Sequence, residues 1–249
     1  MQPHDVIRAT ADPLNLVGAA FYFASETRAA AKQQFGLDGF RNYFLGRGGV
    51  LGDVDADVVA AAFGYFEPGL IRNLWSSGAE RIAPRTARDV ARAFIAAGHE
   101  FGRARFADLD GLTEFADAAA VVIGSVEPAA LALFAGVRAE PVPDDAPAAA
   151  LHQAMVLREL RGSVHLVAVV ASGLTSAVAH AIRRPADTEM FGYAPDAAEA
   201  VTAEQRAAWD RAEQLTDELL VPAYAGLSEA QGAALVAGAQ AMHGALAGA

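Results

Sequence analysis

No run of alternating β-branched and polar residues lasts more than a few positions anywhere in this chain. That leaves room for short β hairpins only, so the fold must be mostly α. Helix signals dominate instead. Thr86, followed three residues later by Asp89, forms a capping pair that opens an amphipathic stretch, Ala87–Arg105, with Val90, Phe94, Ile95 and Phe101 at helical spacing. Thr202 with Gln205 opens a second long helix through Trp209, Leu215, Leu219 and Leu220, which Pro222 is expected to end or kink. Ser228 with Gln231 starts a third.

At 249 residues the chain is long enough for one large domain or two smaller ones, each able to bury a core. Three prolines fall within residues 139–149, the clearest linker, which divides the chain into 1–138 and 150–249. The absence of cysteine excludes a disulfide framework and thiolate chemistry, and with no basic-then-apolar leader after Met1 the expected compartment is the cytoplasm. Two uncharged stretches, Gly162–Ile182 and Ala230–Ala249, have the length of a membrane span. The first is interrupted by Ser172, Gly173, Thr175 and Ser176, and the second is mainly Ala and Gly, so buried helices are expected and no membrane partner.

The two halves echo each other. Phe106-Ala107-Asp108-Leu109-Asp110 matches Tyr224-Ala225-Gly226-Leu227-Ser228 at an offset of 118, each after a long charged helix and before an Ala-rich one. At a similar offset Val50-Leu51-Gly52 and the apolar helix after it resemble Ala171-Ser172-Gly173-Leu174 and its successor. Coherent order at a fixed spacing predicts tandem duplication. The run Tyr43-Phe44-Leu45-Gly46-Arg47-Gly48-Gly49-Val50-Leu51-Gly52, with Phe63-Gly64-Tyr65-Phe66-Glu67-Pro68, His165-Leu166-Val167-Ala168 and Phe191-Gly192-Tyr193, resembles the actinobacterial SalK-like, or helix-turn-helix, proteins. The family pattern carries Arg-Ala-Ala where this chain has Arg47-Gly48-Gly49. The near-exclusive use of Arg, with Lys32 the only lysine among 19 basic residues, fits the high-GC genome the resemblance implies. The resemblance also implies winged-helix ancestry: a mostly α fold made of a tandem pair of winged-helix-like domains related by a pseudo-two-fold axis, with at most short β wings.

A winged helix that reads DNA should present Arg, Lys, Asn and Gln on its recognition helix. Here Gly69–Trp75 offers only Arg72 and Asn73, Leu174–Ile182 offers no basic residue, and the chain carries a net charge of −11. Specific DNA binding is therefore not expected. The reading that follows is a small-molecule binding or catalytic protein, which secondary metabolism would suit; the alternatives are a transcriptional regulator and a pseudo-dimeric interaction module, as monomer or homodimer. Eleven aromatics lie from Phe21 to Trp75, more than small helices need, and clefts for planar ligands are lined in this way.

The predicted pocket lies between the halves, lined by Tyr22, Tyr43, Phe44 and Phe66, with Glu26, Arg47 and His165 at its polar edge. Arg47 sits on a glycine-rich turn, Gly46–Gly52, that fails the phosphate-loop pattern; it is placed near Asp53 and Asp55 and expected to grip an anionic group of a small organic or polyketide-like aromatic ligand. With no structural partner, Arg47 would be replaceable by Ala with little change in Tm. His165 starts an uncharged stretch and corresponds to Arg47 at the repeat offset. His99-Glu100 lacks the second histidine of a zinc motif, and His152, His165 and His180 are spaced by 13 and 15 residues, so no metal is expected. No nucleophile elbow, dinucleotide fingerprint or kinase motif appears, so no cofactor and no reaction type is implied.

Overall fold

The computed structural model describes residues 1–198 and 200–247. The described residues form twelve α-helices: α1 (Pro3–Val17), α2 (Ser25–Phe35), α3 (Gly39–Gly48), α4 (Ala56–Phe63), α5 (Pro68–Ile82), α6 (Ala87–Phe106), α7 (Leu112–Ser125), α8 (Ala132–Arg138), α9 (Ala146–Ala171), α10 (Ser176–Arg183), α11 (Ala203–Tyr224) and α12 (Glu229–Ala247). Short 3-10 turns occupy Gly49–Leu51, Pro185–Asp187 and Pro195–Ala198, and no strand occurs among the described residues, so the short wings allowed for above are not there.

The capping pairs place the long helices where the sequence puts them. Thr86 Oγ1 accepts from the Asp89 amide and the Asp89 side chain accepts from the Thr86 amide, closing a capping box at α6. Thr202 and Gln205 do the same at α11, and Ser228 and Gln231 exchange the equivalent bonds before α12. Pro222 lies inside α11, which runs two residues further to Tyr224. A proline near a helix C-terminus removes one intrahelical bond, and the packing of Ala223 and Tyr224 into the core offsets that loss.

At 26 residues α9 is the longest helix and the axis of the molecule. It packs against α1, α6, α7, α8 and α11, and most of its first two-thirds is buried. The segment 139–149 enters directly into it: Ala146–Ala149 are its first turn, capped by Asp145, and Ala148 and Ala149 are buried. A single core cluster draws residues from both sides of that segment, from Val6 to Met242, with Phe21, Phe44, Phe106, Phe115 and Phe134 wholly enclosed. The N-terminal and C-terminal helices α1 and α12 also lie against each other. A second, smaller cluster, Ala168, Val169, Leu174, Ala179, Ala208 and Ala212, joins the end of α9 to α10 and α11.

The Gly46–Gly52 segment differs from the flexible turn read in the sequence. Gly46 and Gly48 are helical, within α3, and Gly49–Leu51 is a 3-10 turn; of the segment's glycines only Gly52 has a positive φ, at 88°. The glycines serve close packing: a Cβ on Gly46 would meet the Phe94 ring, and one on Gly49 the Ala87 carbonyl.

No single helix among the described residues is long and apolar enough to cross a membrane. The uncharged stretch shared by α9 and α10 is bent by 115° at the turn Ser172–Thr175, where Gly173 adopts φ 78°. Two helices meeting at this angle across four residues with a glycine form a helix-turn-helix.

Candidate ligand site

The bend at residues 172–175 turns α10 back over a cavity of about 1100 Å³, at the upper end of the range for small-molecule sites. Its wall is contributed by α1 and the turn after it, α3, the α4–α5 connection, α9, α10 and α11. Tyr22, Tyr43, Arg47, Phe66 and His165 all line it, so the sequence brought five of its seven candidates to one place. Phe44 lies one layer behind, wholly buried, edge-on to Phe66 at 4.9 Å between ring centroids. Glu26 is exposed and away from the cavity, paired with Ser25 and Arg105.

At one end stands a buried polar cluster. Arg47 Nε and Nη2 each donate to a Glu159 carboxylate oxygen at 2.8 Å, its Nη1 donates to the Tyr43 hydroxyl at 3.1 Å, and its guanidinium lies 4.4 Å from the Phe63 ring centroid. All three nitrogens of Arg47 are therefore engaged by the protein. The earlier expectation, that Arg47 is free to grip an anion beside Asp53 and Asp55, is corrected: Asp53 accepts from the Ala87 amide and Asp55 begins α4. Position i and i+4 on α3 align Tyr43 with Arg47, and α9 presents Glu159 opposite.

Arg158, next to Glu159, also donates to that carboxylate, at 2.8 Å, and to the Tyr22 hydroxyl at 3.3 Å, while Tyr22 donates to Glu159 at 3.2 Å. Burial pushes the Glu159 carboxyl up, but the charges of Arg47 and Arg158 and the bonds from Arg47 and Tyr22 outweigh it and bring it down to about 2. Two guanidinium groups thus share one carboxylate. One positive charge is left over on the half-buried arginines, and Arg158 Nε is enclosed with no hydrogen-bond partner.

At the other end, His165 Nδ1 lies 2.8 Å from Thr216 Oγ1, and its Nε2 is 3.7 Å from a Glu213 carboxylate oxygen. The ring stacks on Tyr65 at 6.1 Å and meets Trp209 edge-on at 5.0 Å. Burial, with the charges of Arg161 and Arg183, lowers its pKa to about 4, while burial raises that of Glu213. His165 lies well inside α9 rather than at a helix start.

Between the two ends, Phe66 stacks on Phe191 at 4.2 Å, and His180 lies against Phe191 at 4.1 Å. His180 Nε2 and the Tyr65 hydroxyl are also buried without partners. Sequence reasoning missed Arg158, Glu159, Glu213 and Thr216. The available signal was the Arg158-Glu159 pair set directly after the apolar run Ala154–Leu157, since charges set there must find each other or a ligand.

No curated protein and no solved structure matches the chain. A family model described as a helix-turn-helix family matches residues 7–193, a span that holds the α9–α10 bend and most of the cavity wall, and the chain belongs to that helix-turn-helix family.

Proposed function

We propose that this protein binds a small organic anion with a planar, largely apolar body, a class that includes the aromatic acids of secondary metabolism. The observation that carries this reading is the excess positive charge at the cavity wall: Arg47 and Arg158, both half-buried and both lining the cavity, share the single buried carboxylate of Glu159. A half-buried ion without full compensation is costly, and an acid group entering the cavity would supply the missing charge through a charge-assisted bond. The rings of Phe66, Phe191, Tyr22 and Tyr43 suit a flat apolar body between the polar ends. The echo between the capped helices α6 and α11, followed by α7 and α12 packed on each other, supports descent from a duplicated helix-turn-helix unit.

Calorimetric titration with 2-naphthoate and with its neutral analogue 2-naphthylmethanol tests the reading. The anion is expected to bind more tightly, and Arg158→Met to weaken it by about 1.5–3 kcal/mol, the usual scale for a hydrogen bond to a charged group. Equal binding of the two compounds, or an anion affinity unmoved in Arg158→Met, would overturn it.

Family membership also favours a second reading, a transcriptional regulator. Against it stands the second helix of the α9–α10 unit. Residues 176–182 of α10 are all buried or half-buried, and His180 and the exposed Arg183 both line the cavity, so the helix presents little polar surface to a major groove. Anisotropy titration with duplex DNA at low salt is expected to give no tight, salt-sensitive binding.

A further inference from the structure

We propose that the ligand carries a hydrogen-bond donor, a phenolic hydroxyl in the simplest case, at the end remote from its acid group, and that His165 Nε2 accepts it. This inference rests on the anion-binding reading and specifies the ligand further.

The argument begins with Thr216, which is wholly buried. Its single hydroxyl hydrogen is directed to the Ala212 carbonyl, four residues back in α11, at 2.7 Å. Its oxygen is then free only to accept, so the 2.8 Å contact with His165 Nδ1 requires the proton to sit on Nδ1. The opposite tautomer would need an acceptor at Nε2. The nearest carboxylate, Glu213 at 3.7 Å, is beyond hydrogen-bond reach. A neutral ring in this tautomer turns the bare lone pair of Nε2 away from Thr216.

The ring is held in place. Tyr65 stacks on one side and Trp209 meets it edge-on, so the acceptor has a fixed direction. The ring stays neutral over the physiological range because burial and the neighbouring Arg161 and Arg183 disfavour its charged form. The Tyr65 hydroxyl, buried without a partner, adds a second unengaged polar atom to this end.

Helix geometry sets the spacing. Arg158 and His165 are seven residues apart on α9, so they share a face and their backbones are separated by about 10 Å along the axis. A rigid two-ring frame with an acid at one end and a hydroxyl at the other matches that separation. A site with a buried, oriented acceptor penalises an analogue that cannot donate, because the acceptor loses water and gains nothing.

The test uses three probes on the full-length protein: 6-hydroxy-2-naphthoate, 2-naphthoate and 6-methoxy-2-naphthoate. The hydroxyl compound is expected to bind about tenfold more tightly than the other two. In His165→Phe, which retains a ring for the stack, the three should bind alike. Two-bond proton–nitrogen correlation spectra of the wild-type protein should show His165 protonated at Nδ1, a readout independent of any variant's folding. Equal affinity of the three probes for the wild type, or protonation at Nε2, overturns this inference and leaves the anion reading standing. Failure of all three to bind overturns both.

Discussion

Arg47 and His165 stand 118 residues apart, line the same cavity, and differ in how the protein treats them. Around Arg47 every guanidinium nitrogen has a partner and the acid beside it is held ionised. Around His165 the ring is held neutral, one nitrogen is tied to Thr216, and the other has nothing within bonding distance. The first arrangement is structural, because each nitrogen of Arg47 and both oxygens of Glu159 are engaged without a ligand. The second is open at the point that faces the cavity. Arg47 uses all three of its nitrogens inside the protein and Arg158 uses only Nη1, so Arg158 is the better-placed partner for the proposed anion.

The largest effect should come from breaking the closed arrangement. Arg47→Met leaves Glu159 buried and 2% exposed, with Arg158 its only remaining cationic partner. Removing one member of a buried pair costs about 3–5 kcal/mol, so urea unfolding should show a loss of that size and Tm should fall by several degrees. A change below about 1 kcal/mol would mean that the Arg47–Glu159 pair is not a structural element.

That result also bears on what the sequence made legible. The helix starts at Ala87, Ala203 and Glu229 could be read because capping is local chemistry, set by residues three apart. Tyr22, Tyr43, Arg47, Phe66 and His165 could be grouped because aromatic clustering and the repeat offset both point at a cleft. The role of Arg47 was not legible, because its partner Glu159 is 112 residues away and meets it only when α9 crosses α3. The glycines of α3 were misread for a related reason. Glycine in sequence signals freedom equally with close approach, and the neighbours that decide, Phe94 and Ala87, come from α6.

Acid should separate the two ends by pH window. His165 has an ordinary pKa of 6.5 and a folded value of about 4, so the unfolded chain takes up the proton first as pH falls. Stability is therefore lost between about 6.5 and 4, by about 3 kcal/mol at most for this group. Glu159 runs from 4.5 down to about 2, so its contribution is intact above 4.5 and lost only as pH falls from there towards 2. His152, lowered to about 4 by burial and the neighbouring His99, adds to the first window. Urea unfolding from pH 7.5 to 3 should show a smaller loss between 6.5 and 4 in His165→Phe than in the wild type. Parallel profiles for the two proteins would remove His165 from the list of depressed groups.

The smallest effect is expected from Thr216→Val, and it addresses the comparison most directly. Valine keeps the shape and β-branching of threonine, so the wholly buried site is not emptied. What disappears is Oγ1, and with it the acceptor for His165 Nδ1–H and the donor to Ala212. The Ala212 carbonyl lies within α11 and keeps its helical bond, so its loss is slight. The stranded Nδ1–H is the real cost, about 1–2 kcal/mol, unless the ring moves its proton to Nε2 and turns toward Glu213. The proton shift is the expected response, because it relieves the stranded donor, and it removes the open acceptor at Nε2. Thr216→Val should therefore unfold only slightly more easily than the wild type, yet bind hydroxylated and unhydroxylated naphthoates alike, with its nitrogen spectrum shifted toward the Nε2–H form. Full retention of both the Nδ1–H signal and the hydroxyl preference would show that the tautomer is set by something other than Thr216.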